Sequence, residues 1–182
     1  MELLNEHYLG QGRQKVVYRH PCDPNLCIKI PKAKPRLLKS LKREIKYLKR
    51  HQQKLQFLSN YLGEIETNLG KGYLFSLICD HDGAVSKPLE SIYSELDGLG
   101  EKVASMYQSL LKNKSAVSEL EPCNILVKRW ENGDYELYII DGFGNSDFIK
   151  VCDFSRIFLK NKLTRKFRGL CELLDLPQSF LD

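Results

Sequence analysis

Between Arg36 and Leu62 the apolar residues Leu37, Leu38, Leu41, Ile45, Leu48, Leu55, Leu58 and Leu62 recur mostly every three or four positions. That period puts them on one face of a helix. Pro35 stands at its start, where a missing N–H costs the helix nothing. A second helical stripe, Ile92, Leu96, Leu99, Val103, Met106, Tyr107, Leu110 and Leu111, runs from about Leu89 to Lys112 and is weakened at Gly98-Leu99-Gly100. A third, from about Thr164 to Leu176, is basic and then apolar, and stops before Pro177.

Elsewhere the pattern is that of strands. Lys15 to His20 and Leu26 to Ile30 flank the turn residues Pro21 to Asn25, and Gly10 and Gly12 precede them. "GEIETNLGKGYLFSLICD" reads as a hairpin turning at Asn68 to Gly72. Ile125 to Trp130 and Tyr135 to Ile140 form another, joined through Asn132-Gly133, a pair that suits a tight turn with positive φ. The order is β-rich, helix, hairpin, helix, hairpin, helix, which is an α+β pattern whose N-terminal sheet carries one long helix.

With 182 residues, 42% hydrophobic, 28% charged and a mean hydropathy of -0.37, the chain has the make-up of a soluble folded domain rather than a disordered one. No apolar run approaches the ~20 residues of a membrane span, and the N-terminus has no basic and apolar leader. A cytoplasmic protein without a membrane partner is expected. Six scattered cysteines lack C-x-x-C metal spacing, so reduced, mostly buried thiols are expected. The net charge of +5 is concentrated between Lys29 and Lys54, where Glu44 is the single acid. Such a run is a solvated helix face or a surface for phosphate or nucleic acid. Tyr47 is its one aromatic residue from Lys32 onward, which argues against a platform for stacking single-stranded bases.

Four places hold candidate chemistry: Gly10-Gln11-Gly12 between strands, Lys29 inside the apolar strand "LCIKI", Glu44 in the basic helix, and Asn124 with Asp141 bracketing the last hairpin. Each alone has an ordinary reading as a turn, a snorkelling lysine, a local ion pair or a cap. Their order matches phosphate recognition: a glycine loop that approaches phosphate closely, a strand lysine on the phosphates and a helical carboxylate holding that lysine. Two hard oxygen ligands at the hairpin's open end then suit a metal bridging phosphates.

On the words "LGQGRQKVVYRHP", "CIKI", "REIKYL", "ETNLGKGYLFSLICDHDG", "LEPCNILVKR" and "IIDGFGN", the sequence resembles the protein-kinase-like superfamily, and more closely the PhoP regulatory network protein YrbL family. The resemblance runs from Leu9 to Asn145 and implies a minimal kinase-like two-lobed fold, with an N-lobe over residues 1–80 and a reduced C-lobe over 81–182. It further implies that Gly10 and Gly12 form the glycine loop, Lys29 pairs with phosphate and Glu44 holds Lys29. Ile78, Cys79 and Asp80 are the hinge that bonds adenine, Asn124 and Asp141 are magnesium ligands, and ATP with Mg2+ is the cofactor. A bacterial regulatory role and a protein or small-molecule phosphate acceptor follow from the same resemblance.

The departures are equally specific. Where kinases carry the catalytic Asp, five residues before the metal-binding Asn, this chain has Glu119, and where they usually carry His it has Val117. Glu keeps the carboxylate but displaces it by about 1 Å, enough to cost on the order of a hundredfold in rate. Lys15 replaces the third loop glycine, and the metal motif reads Asp-Gly-Phe. Three function classes follow: a phosphotransferase with Glu119 as displaced base, a nucleotide-binding regulator without useful catalysis, and a basic scaffold or nucleic-acid binder.

Overall fold

A computed structural model describes residues 1–144 and 156–181. Cys152 and Asn145, both part of the sequence reading, lie outside the described residues. The first sheet has five antiparallel strands in the order β1-β2-β3-β5-β4: β1 Tyr8–Gln11, β2 Lys15–His20, β3 Asp23–Pro31, β4 Tyr61–Thr67 and β5 Gly70–Ser76. The turn between β2 and β3 is tighter than the run of polar residues implied, because β3 already begins at Asp23.

Register decides which residues meet. Val17 of β2 lies opposite Lys29 of β3, and Lys29 lies opposite Tyr73 of β5. Alternation along a strand then puts Lys15, Val17, Cys27, Lys29, Tyr73 and Phe75 on one face of the sheet. Ile28 and Ile30 face the other way, packing with Leu3.

Helix α1, Pro35–His51, crosses the first of these faces. Leu41, Ile45 and Leu48 are buried, and Glu44 sits among them on the same stripe. The helix ends eleven residues short of Leu62, the end its periodicity predicts, in a 3-10 turn over Gln52–Lys54. Leu55 and Leu58 are still buried but on extended backbone. The basic residues Arg36, Lys39, Lys42, Arg43, Lys46, Lys49 and Arg50 of α1 are all exposed.

The second half holds a three-stranded sheet, β6 Lys87–Pro88, β7 Ile125–Arg129 and β8 Tyr135–Ile139, flanked by helices. The second predicted helix is broken into a short α2, Leu89–Ile92, and α3, Leu99–Lys112. The break falls at Gly98, whose φ of 67° is left-handed. Helix α4, Arg156–Leu173, starts eight residues earlier than its sequence pattern indicates. It buries Leu159, Leu163, Phe167 and Leu170 against α3, with the Tyr107 and Phe167 rings edge to face at 5.2 Å.

No helix of the described residues is long and apolar enough to cross a membrane. All five described cysteines are free thiols, but only Cys27 and Cys171 are buried, fewer than expected; Cys22 is exposed and Cys79 and Cys123 are half-buried.

Candidate functional site

The last hairpin explains why Asn124 and Asp141 meet. Ile125 pairs with Ile139, and one step further out the Ile140 N–H donates to the Asn124 carbonyl at 3.0 Å. The strands therefore stay clamped up to their open end, which holds the two side chains at the mouth of one cleft. That cleft, of about 420 Å³, is lined by Gly10, Gly12, Lys15, Lys29, Asn124 and Asp141, with Ile78 and Ser86 behind them. A surface groove of about 710 Å³ lies between the α3 region and the residues after α4. It gathers none of these residues, so chemistry rather than size marks the site.

Glu44 turns inward as its position on the apolar stripe requires, but its partner is not the one expected. Lys15 Nζ lies 3.3 Å from Glu44 Oε2 and 2.8 Å from Asp141 Oδ1. Lys29 Nζ instead donates to the Ile140 carbonyl at 2.6 Å and lies 4.0 Å from the centre of the Phe75 ring. The expected Lys29–Glu44 ion pair is thus replaced by Lys15–Glu44. The cause lies in strand parity: Lys15 is two residues from Val17, the cross-strand neighbour of Lys29, so both lysines enter the same space and divide the acceptors between them. Sequence reasoning saw Lys15 only as a lost glycine. The signal that would have found it is its even spacing from Val17 on an inward-facing strand.

Lys15, Lys29 and Glu44 are 6%, 5% and 8% exposed, so their charges act with little solvent screening. Burial, followed by the nearby Lys15 charge, pushes the Lys29 pKa down. For Lys15 burial acts the same way, but Glu44 and Asp141 outweigh it and raise its pKa. Burial also raises Glu44 against the pull of Lys15. Asp141 feels burial too, yet Lys15 and then Lys29 hold it down to about 2. The two cations thus act most strongly on Asp141, while burial outweighs them at Glu44.

Asp141 Oδ1 also accepts from the Gly142 N–H at 2.8 Å. The Asn124 side-chain amide makes no hydrogen bond among the described residues. One carboxylate and one free amide oxygen suit Mg2+, which keeps most of its shell for phosphate and water. Among the described residues no cluster of three His, Cys, Asp or Glu side chains offers an all-protein metal site.

The hinge is only partly available. Ser86 N–H donates to the Ile78 carbonyl at 3.1 Å, and Asp80 N–H donates to the Ala84 carbonyl at 2.8 Å. Those two groups are already engaged, while the N–H and carbonyl of Cys79, between them, make no hydrogen bond among the described residues. Glu90, in α2, also lines the cleft, and nothing in its sequence context marked it.

Glu119 does not line the cleft. It borders an adjoining recess of about 30 Å³ with Gln14, Arg43, Glu44 and Asp141. Its backbone is fixed by the Asp-Gly-Phe segment, since the N–H groups of Ser118 and Glu119 both point to the Gly142 carbonyl, at 2.7 and 3.4 Å. Phe143 N–H donates to Glu44 Oε1 at 3.3 Å, and Val117 pairs with Phe143 across an antiparallel bridge. Helix α1, the metal motif and the segment carrying Glu119 thus form one connected unit.

Among solved structures, the kinase domain of Mycobacterium tuberculosis PknI superposes with a TM-score of 0.56 at 12% identity, over 90% of this chain and 71% of that domain. The fold is therefore kinase-like. The YrbL proteins of Escherichia coli (strain K12) and Shigella flexneri are each 30% identical over 167 residues, covering 86% of this chain and 79% of theirs. The model of the family described as PhoP regulatory network protein YrbL matches residues 1–174, both sheets and all the site residues included. With that match spanning nearly its whole length, the chain belongs to the YrbL family.

Proposed function

We propose that this protein binds ATP with Mg2+ in the cleft between its two sheets and works as a bacterial cytoplasmic regulator whose phosphotransfer, where it occurs, is slow. The observation that carries this reading is the convergence of Gly10, Gly12, two lysines, Asn124 and Asp141 on one cleft. The glycine backbone is open there: a Cβ at Gly10 or Gly12 would meet nothing within 4 Å, which leaves room for phosphate to approach. Asn124 and Asp141 would hold the metal, which supplies charge neutralisation between phosphate oxygens. Of the expected hinge residues Ile78 lines this cleft, and Cys79 and Asp80 do not.

The reading of slow or absent catalysis is favoured by Glu119, which borders the recess rather than the cleft. Phosphoryl transfer depends mainly on positioning, so turnover is expected well below the ~1–100 s⁻¹ usual for kinases. With Glu119 as a displaced base, Glu119→Asp raises that rate and Glu119→Gln abolishes it, and Asp141→Asn abolishes it by weakening the metal. The acceptor is a protein or a small molecule.

The test is a thermal-shift titration of the whole chain. A ligand that binds only the folded state at about 100 times its Kd stabilises by roughly 2.7 kcal/mol. Millimolar ATP with magnesium should shift the melting temperature, and magnesium-free ATP should shift it less. The absence of any shift overturns the reading.

A further inference from the structure

We propose that Lys15, rather than the strand lysine Lys29, is the residue that Glu44 presents to the phosphates of a bound nucleotide, and that without nucleotide its ammonium serves as the internal cation of Asp141. The inference rests on the nucleotide reading and goes beyond it by assigning the two lysines different work.

Three observations carry it. Lys15 Nζ is the group that bridges the two acids, at 3.3 Å from Glu44 and 2.8 Å from Asp141. Lys29 has its own anchor, the Ile140 carbonyl at 2.6 Å, and the face of the Phe75 ring. Its ammonium fixes the residue preceding Asp141, which makes it a positioning residue for the carboxylate. Lys15 also begins the strand that follows the glycine loop, whose turn closes with a Gly12 N–H bond to the Lys15 carbonyl at 2.9 Å. A phosphate under that loop would lie beside the Lys15 backbone, and the side chain already lines the same cleft.

A metal arriving at Asp141 competes with the Lys15 ammonium for the same carboxylate. A nucleotide brings both the metal and a new acceptor for Lys15, so exchange of partners keeps every charge paired: Lys15 leaves Asp141 for phosphate, stays with Glu44, and Asp141 takes the metal. Unpaired buried charge is costly, and the Glu44 contact spares the buried Lys15 ammonium that cost while it changes its other partner.

Calorimetric titration of the full chain distinguishes these roles. Lys15→Met should lower affinity for ATP at saturating magnesium by about tenfold or more, the equivalent of one charge-assisted bond. The same substitution should raise affinity for magnesium alone, because the competing cation is gone. Lys29→Met should weaken ATP binding less than Lys15→Met does. If Lys15→Met fails to fold by circular dichroism, Lys15→Met/Glu44→Gln, which removes the ion pair without leaving Glu44 as an unpaired charge, takes its place with the same two expectations. Unchanged ATP affinity in the Lys15 variant, a larger loss in Lys29→Met, or magnesium affinity that does not rise each overturns the assignment while leaving the nucleotide reading standing. A parent protein that takes up no ATP overturns both.

Discussion

Gly142 stands at φ +81°, and a Cβ there would fall 2.4 Å from the Glu119 carbonyl oxygen and 2.8 Å from Glu119 Cβ. Both the backbone conformation and the space call for glycine, which accounts for Asp-Gly-Phe as a metal motif. Gly142→Ala should therefore lose at least about 1–3 kcal/mol of stability in urea unfolding. Gly12→Ala, where a Cβ meets nothing within 4 Å, should leave unfolding almost unchanged and affect only ligand affinity. Asp141 supplies a second residue-scale expectation. Its folded pKa is depressed from 3.8 to about 2, with burial overcome by Lys15 and Lys29, so its contribution to stability is present above pH 3.8 and is lost as pH falls toward 2. Glu44 runs the opposite way, because burial raises its pKa and what it contributes is lost as pH rises. The acid-side loss can be isolated by comparison with Asp141→Asn: the advantage of the parent over this variant, measured by chemical unfolding, should be full at pH 5 and shrink toward pH 2.

Helix α1 is held to the rest of the site by Tyr47 as well as by Glu44. Ala116 N–H donates to Tyr47 Oη at 2.6 Å, and the Tyr47 ring stacks on His51 with centroids 4.1 Å apart. Tyr47→Phe leaves a buried N–H without that acceptor, which should cost about 1–3 kcal/mol and speed hydrogen exchange at Ala116. Tyr47 was visible in the sequence only as an isolated aromatic residue among lysines, because its partner lies 69 positions away. The same limit runs through the fold. Both hairpins were legible, since alternation and Asn132-Gly133 are local signals, although the first turns at Asn68-Leu69 rather than over Asn68 to Gly72; the inward turn of Glu44 was expected from the order of the candidate residues. The end of α1 was not: Leu55 and Leu58 continue the helical period yet are buried from extended backbone, with Leu58 bridging Ile139 in the other sheet. Nor was the choice between Lys15 and Lys29, because it depends on cross-strand register and on which acceptor each ammonium reaches first. Gly10, Gly12, Lys29, Asn124 and Asp141 line one cleft, while Cys79, Asp80 and Glu119 do not, and neither that division nor the pairings could be read without three dimensions.

At the scale of the molecule one hydrophobic cluster runs through both halves, from Leu41 and Ile45 on α1 and Phe75 on the first sheet to Leu137 on the second sheet and Leu163 and Phe167 on α4. Phe167 is fully buried between Tyr107 and its neighbours on α4. Phe167→Ala should cost about 3–5 kcal/mol. Because the core is shared, the loss should appear as one cooperative transition with the same midpoint by tyrosine fluorescence and by far-ultraviolet circular dichroism. Further hydrogen bonds join the halves besides the core and the site contacts. Ile139 exchanges backbone hydrogen bonds with Phe57 and Ser59, at 3.0 and 3.2 Å. Asp80 Oδ1 accepts from Ser86 Oγ at 2.5 Å and from the Arg129 N–H at 3.1 Å, and His81 N–H reaches the Arg129 carbonyl at 3.0 Å. A connection braced by the side chain of its own hinge residue bends poorly. On the proposed exchange the part that moves is the Lys15 side chain, not one half of the molecule against the other. Any signal that passes from the cleft to a partner would then travel through the packing around a buried ammonium, and a partner that reads it must dock against the residues that enclose Lys15.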